Sequence, residues 1–206
     1  MSNDLTASRR RLLKASLGAL ALGGATSGQA LAAVSGAADR ARAFGLAKVG
    51  LERMGGSVKH RDLVGLADFS SPSKNPRFHL LDMQSGQMRS LLVAHGRGSD
   101  PSHTGWVKSF SNAFGSAASS EGAYVTGDYY VGKHGRSMRL QGMDPGNSNA
   151  MARAIVVHGA WYVSPQMAKE RGVLGRSEGC FAFAENDLPQ VLERLGPGRL
   201  LLAGKF

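Results

Sequence analysis

The chain has 206 residues, 42% of them apolar, and carries 25 Lys and Arg against 15 Asp and Glu for a formal net charge of +10. That length allows one domain of ordinary size or one domain plus an appendage, and the apolar content excludes wholesale disorder. The 28 glycines have no three-residue period, which excludes collagen, and a single cysteine, Cys180, excludes an internal disulfide framework and a four-cysteine zinc site.

The first 32 residues read as an address. Ser8, Arg9, Arg10, Arg11, Leu12, Leu13 and Lys14 form a basic cluster, a weakly hydrophobic run follows from Ala15 to about Ala25, and Ala30-Leu31-Ala32 supplies a small-x-small cleavage site. The apolar run is too short and too rich in Gly and Ala to span a bilayer, so no stable membrane anchor is expected. The order resembles a twin-arginine export signal, which implies the twin-arginine export machinery as a partner, cleavage after Ala32 and a periplasmic or otherwise exported protein. Cleavage would leave 21 basic and 14 acidic residues, about +7, so part of the basicity belongs to targeting. The alternative reading of this segment is a basic amphipathic helix.

Residues 33–57 read as a helical segment, with Ala41, Phe44, Lys48, Leu51 and Arg53 at helical spacing between Gly36 and Met54, softly interrupted at Gly45 and Gly50. From residue 58 the texture changes to short strands and turns. Leu63–Phe69 is a candidate strand, and Pro72 and Pro76 bracket a loop. Phe78–Met83 and Met88–Ala94 flank a Gln84–Gln87 turn as a hairpin. Tyr124–Val131 and Arg136–Leu140 form a second pair around residues 132–135. Ala154–Val157 suits a buried strand, and Ser164–Arg171 a short helix. Asn186–Leu195 reads as a longer helix, capped by Asn186 with Pro189 in its first turn. Leu200–Leu202 makes a last strand. Residues 58–206 are therefore expected to form a mainly β domain with a few peripheral helices.

Three polar, glycine-rich segments follow apolar runs: His95-Gly96-Arg97-Gly98-Ser99, His158-Gly159-Ala160, and Gly175-Arg176-Ser177-Glu178-Gly179-Cys180. A histidine at a strand exit is held rigidly yet reaches solvent. A cysteine after glycine can turn backbone N–H groups toward an oxyanion formed by thiolate attack. Arg176, and His158 once protonated, would favour that thiolate. A lone cysteine is also commonly an inert, buried hydrophobe, and spacing alone does not bring His158 to it. His95 reads either as a functional group or as part of a turn, and His134 either as cleft lining or as an exposed turn residue. Histidines 95, 103, 134 and 158 lack the paired helical spacing of a zinc enzyme, so neither metal nor cofactor is expected.

His158-Gly159 followed by Ser177-x-Gly179-Cys180 resembles the signature of murein L,D-transpeptidase catalytic domains, the YkuD-like family. Phe110-Ser111-Asn112, Ser119–Tyr124, Gly132–Ser137 and Arg153–Tyr162 resemble its divergent branch, so that the likeness covers about residues 60–185. The resemblance implies a β-rich sandwich or barrel. It also implies Cys180 as nucleophile, His158 as general base, Gly159 orienting that base through its carbonyl, the Gly179 and Cys180 backbone amides lining the oxyanion hole and Ser177 as loop support. Arg176, His134, His95 and Ser120 are the expected substrate contacts. Glu178 stands where many relatives carry a second histidine, and Ala182 where many carry an arginine; Arg176 is a candidate replacement for that cation.

The implied substrate is a peptidoglycan stem peptide, cleaved at the L,D bond before its terminal D-Ala through a Cys180 thioester. An amine then completes transpeptidation, or water completes carboxypeptidase action, and a carbapenem is expected to acylate the same thiol. A basic exported domain suits such a polyanion. The rival reading is a non-catalytic cell-wall binding module with Cys180 buried. A nucleic-acid partner is not expected, because no aromatic-basic stripe is present, and a monomer is expected.

Overall fold

The computed structural model describes residues 27–206, with side chains from Gly36 onward. The basic cluster and apolar run of the export-signal reading lie outside the described residues. The first element is a helix, α1 (Ser27–Met54). Eight strands follow: β1 (Leu63–Asp68), β2 (Phe78–Asp82), β3 (Met88–Leu91), β4 (Gly122–Gly132), β5 (Gly135–Gly142), β6 (Val156–Gly159), β7 (Phe181–Phe183) and β8 (Leu200–Gly204). Helix α2 (Pro165–Arg171) lies between β6 and β7, and α3 (Leu188–Leu195) between β7 and β8. No described helix is long and apolar enough to cross a membrane.

The strands form one sheet in the order β3-β2-β1-β8-β4-β5-β6-β7. β1 runs parallel to β8 and β6 parallel to β7, and the remaining pairings are antiparallel. The chain leaving β3 at one edge reaches the other edge, where the Ala94 N–H donates to the Ala182 carbonyl at 2.9 Å. The sheet therefore curls toward closure, in keeping with the expected β-rich architecture.

Residue alternation divides the core. On β8, Leu200 and Leu202 face α1 together with Val64, Leu66 and Leu81, while Leu201 and Ala203 join Phe69, Phe78, Tyr124, Leu140, Val157, Phe181 and Phe183 on the other side. Helix α3 covers that second core with Val191, Leu192 and Leu195. Phe78 and Phe183 meet edge-to-face at 4.7 Å, as do Tyr124 and Phe181 at 5.4 Å.

Three local expectations are corrected. Helix α1 runs unbroken through Gly45 and Gly50 and starts earlier, at Ser27, so Ala32 lies within it. Gly50 is a packing position: a Cβ there would sit 3.0 Å from Leu202 Cδ1, and Ala43, Ala47 and Leu51 complete its buried stripe. Helix α3 begins at Leu188, not beside Asn186; Asp187 is already in helical conformation, and the Ala184 carbonyl accepts the Asp187 and Leu188 N–H groups in place of a side-chain cap. Strand β7 escaped the sequence reading, because three residues are too few for a hydrophobic period.

Candidate active site

His158 and Cys180 stand on either side of the Val157–Phe181 pair that joins β6 to β7. Val157 and Phe181 fill the core, so alternation turns the two polar side chains to the opposite face. There they line a cleft of about 650 Å³ with Arg97, Lys133, His134, Arg153, Tyr162, Arg176, Ser177 and Glu178.

His158 is buried, and its Nδ1 lies 2.8 Å from the Gly159 carbonyl oxygen. A carbonyl can only accept, so Nδ1 carries the proton and Nε2 is left with its lone pair. Burial pulls the His158 pKa down to about 4; the Gly159 carbonyl opposes this, and the neighbouring His134 and Lys133 add to it. The ring is a neutral imidazole at neutral pH. His134, in the β4–β5 turn, stacks on it with ring centroids 4.2 Å apart and planes 20° from parallel.

Cys180 is partly exposed to the cleft, and its thiol donates to the Ala154 carbonyl at 3.5 Å. Burial raises its pKa, opposed by the Val156 backbone and by Lys133, while Glu178 adds to the rise. No hydrogen bond joins Sγ to His158 among the described residues. The resting pair is thus a thiol of raised pKa and a neutral imidazole. The Ala154 carbonyl is presented by a non-glycine residue with φ 53°, and Ala117, across the cleft, has φ 51°. Strained backbone of this kind clusters where geometry is over-determined.

The loop that carries Cys180 is braced from several sides. Ser177 Oγ donates to the Cys180 carbonyl at 2.7 Å and accepts from the Gly179 N–H at 3.2 Å. The Ser177 N–H donates to the His95 carbonyl at 2.9 Å, and the Arg97 N–H returns to the Ser177 carbonyl at 2.8 Å. Gly179 has φ 118°, and a Cβ there would approach the Ala118 carbonyl oxygen to 2.7 Å, so only glycine fits. Its N–H donates to Ser177 Oγ, a side chain that itself lines the cleft.

Two expected substrate contacts are placed elsewhere. His95 is buried behind the loop: Arg77 Nη2 donates to its Nδ1 at 2.7 Å, and its Nε2, which therefore carries the proton, has no hydrogen-bond acceptor and lies 3.5 Å from Asp100 Oδ2. Burial, with the Arg77 charge, pulls the His95 pKa down to about 3, so the Asp100 contact is not an ion pair at neutral pH. Ser120 is fully buried; its Oγ donates to the Ser111 carbonyl at 2.8 Å and accepts from Arg153 Nη1 at 2.7 Å. Both residues support cleft walls without reaching the cleft. Arg176 lines the cleft, but its guanidinium donates to the carbonyls of Asp100 and Pro101, the latter at 3.2 Å.

Arg153 was given no role by the sequence reading. Its two Nη atoms bind the Ser111 and Ala118 carbonyls, each at 2.6 Å, with Ser120 Oγ at 2.7 Å and Ser116 Oγ at 3.1 Å. It ties the 111–120 loop beside Cys180. Its acceptors lie 33 to 42 residues away in sequence, and no local pattern announces them.

The L,D-transpeptidase catalytic domain profile (YkuD_2) matches residues 39–203. The chain belongs to this family. No curated protein sequence matches it significantly. Among solved structures, similar chains include an L,D-transpeptidase from Mycobacterium smegmatis (13% identity, TM-score 0.41, covering 69% of this chain and 58% of that one). Another is L,D-transpeptidase 3 from Mycobacterium tuberculosis (14%, TM-score 0.44, 69% and 61%). A third is an L,D-transpeptidase from Mycobacterium tuberculosis H37Rv (13%, TM-score 0.43, 69% and 57%). This family member therefore spans less than two thirds of the length of those transpeptidases.

Proposed function

We propose that the protein is a peptidoglycan L,D-transpeptidase that works through a Cys180 thioester. The supporting observation is the fixed tautomer of His158: Nδ1–H is held by the Gly159 carbonyl, leaving Nε2 basic in the cleft that holds the Cys180 thiol. His158 Nε2 takes the proton from Sγ as sulfur attacks the diaminopimelate carbonyl of the stem peptide. The tetrahedral intermediate collapses with cleavage of the amide C–N bond, and the proton passes from Nε2 to the departing D-Ala amine. The thioester is then attacked by an amine of a second stem, giving a cross-link, or by water, giving a shortened stem; in both cases His158 accepts the nucleophile's proton and returns it to sulfur.

Because the Gly179 amide is held by Ser177, the Cys180 amide is assigned as the oxyanion donor, with Ser177 fixing the carbonyl of the same residue. Four basic residues line the cleft against one acidic residue, a balance that suits an anionic donor. Export through the twin-arginine pathway, cleavage after Ala32 and a periplasmic location belong to the same proposal, since cross-linking takes place outside the cytoplasm.

The test is turnover of purified disaccharide-tetrapeptides. Cys180→Ala is expected to abolish it while leaving the thermal transition in place, and intact-mass spectrometry is expected to show a carbapenem adduct on the parent protein alone. Retained turnover in Cys180→Ala would overturn the mechanism.

A further inference from the structure

We infer that Lys133 selects the acyl donor by pairing with a stem-peptide carboxylate, an inference that rests on the transpeptidase reading above. Of the four cations lining the cleft, Arg97, Arg153 and Arg176 are already engaged. Arg97 pairs with Glu178 at 3.4 Å. The Arg153 Nη atoms meet four acceptors in the 111–120 loop. Arg176 is bound to the Asp100 and Pro101 carbonyls, so it is a poor replacement for the arginine missing at Ala182.

Lys133 has no carboxylate within ion-pair distance among the described residues. Its position is nevertheless defined. The β4–β5 turn is closed by the Gly132–Gly135 pair, and the only two residues it projects are Lys133 and His134. The His134 ring is stacked on His158, which ties the turn to the general base and sets the neighbouring ammonium at the cleft. The Lys133 charge adds to the lowering of the His158 and His134 pKa values and offsets part of the rise that burial gives the Cys180 thiol. Glu178, the cleft's one acidic group, is occupied by Arg97. An ammonium in the cleft with no carboxylate partner attracts an anion without imposing the planar geometry that a guanidinium would.

Two donor carboxylates are candidates, that of the terminal D-Ala next to the scissile bond and the free one at the end of the diaminopimelate side chain, and the experiment separates them. Steady-state kinetics of the parent protein, Lys133→Met and Lys133→Arg are measured on the disaccharide-tetrapeptide, on its D-alaninamide analogue and on its diaminopimelate-amidated analogue. On the unmodified donor Lys133→Met is expected to lower kcat/KM by about tenfold to a hundredfold, chiefly through KM, with most of the loss restored in Lys133→Arg. The loss should vanish on one of the two amidated donors, which names the carboxylate. An equal loss on all three donors, or no loss on any, overturns the inference while leaving the transpeptidase reading intact. A parent protein inert on every donor overturns both.

Discussion

Acid should destabilise this domain through the buried His95, and the size of the effect follows from its surroundings. His95 is 1% exposed, accepts a hydrogen bond from the Arg77 guanidinium and has no acceptor for its Nε2 proton. Protonation would put a second positive charge beside Arg77 in a site that water does not reach. The folded-state pKa, about 3, lies below the ordinary histidine value of 6.5. The unfolded state therefore binds the proton first as pH falls, and stability present above about pH 6.5 is lost progressively down to about pH 3.

At about pH 4.5 the folded ring is still neutral, so the loss depends only on the two pH units separating it from the unfolded value, about 3 kcal/mol. With a urea slope of roughly 1–3 kcal/mol per molar, the midpoint should fall by about 1–3 M between about pH 7 and 4.5 from this residue alone. His95→Gln is the control, because its amide oxygen can accept from Arg77 and its NH2 group can face Asp100 without titrating. Urea unfolding of both proteins at both pH values isolates His95 from the carboxylates. The parent should lose about 3 kcal/mol more than His95→Gln. Parallel losses in the two proteins would show that His95 is already charged in the fold, or that Arg77 does not oppose its charge.

The proposed His158–Cys180 pair makes a second pH prediction. With the His158 pKa near 4 and the Cys180 thiol raised by burial, kcat/KM should rise through about pH 4 and then hold a plateau across neutrality. Iodoacetamide alkylation, which needs the thiolate, should stay slow there and climb only above the ordinary thiol range. Fast, pH-independent alkylation at about pH 5 would indicate a standing thiolate–imidazolium pair and refute the assignment. A third prediction concerns the cleft wall. A Cβ at Gly98 would lie 1.9 Å from the Ser116 carbonyl oxygen and 2.9 Å from two further backbone atoms, so Gly98→Ala should cost on the order of 3 kcal/mol and lower the melting temperature by about 6–12 °C. Gly45→Ala, on the exposed face of α1 with nothing within 4 Å, should instead stabilise by about 0.5–1 kcal/mol; equal melting shifts in the two variants would contradict the packing described here.

What the sequence discloses about the site depends on how far each relationship reaches along the chain. The hairpins β2–β3 and β4–β5 are legible because an alternating pattern and a short turn are local facts. Gly159 is legible as the partner of His158 because the bond joins neighbouring residues. Ser177 is legible as a brace because its partners, Gly179 and Cys180, lie within three positions.

His95 and Ser120 mislead for the opposite reason. In sequence each is a polar residue in a glycine- or serine-rich loop, the usual signature of a surface contact. Burial comes from Arg77, 18 residues upstream of His95, and from Arg153, 33 residues downstream of Ser120. The same long-range closure explains the cations. Arg176 looks available beside Cys180 until the 97–101 turn is folded against it and its carbonyls take up the guanidinium. Once the three arginines are accounted for in this way, the cleft cation left without a partner among the described residues is a lysine in a hairpin turn 47 residues before Cys180. Its only sequence mark is adjacency to His134, whose ring stacks on His158.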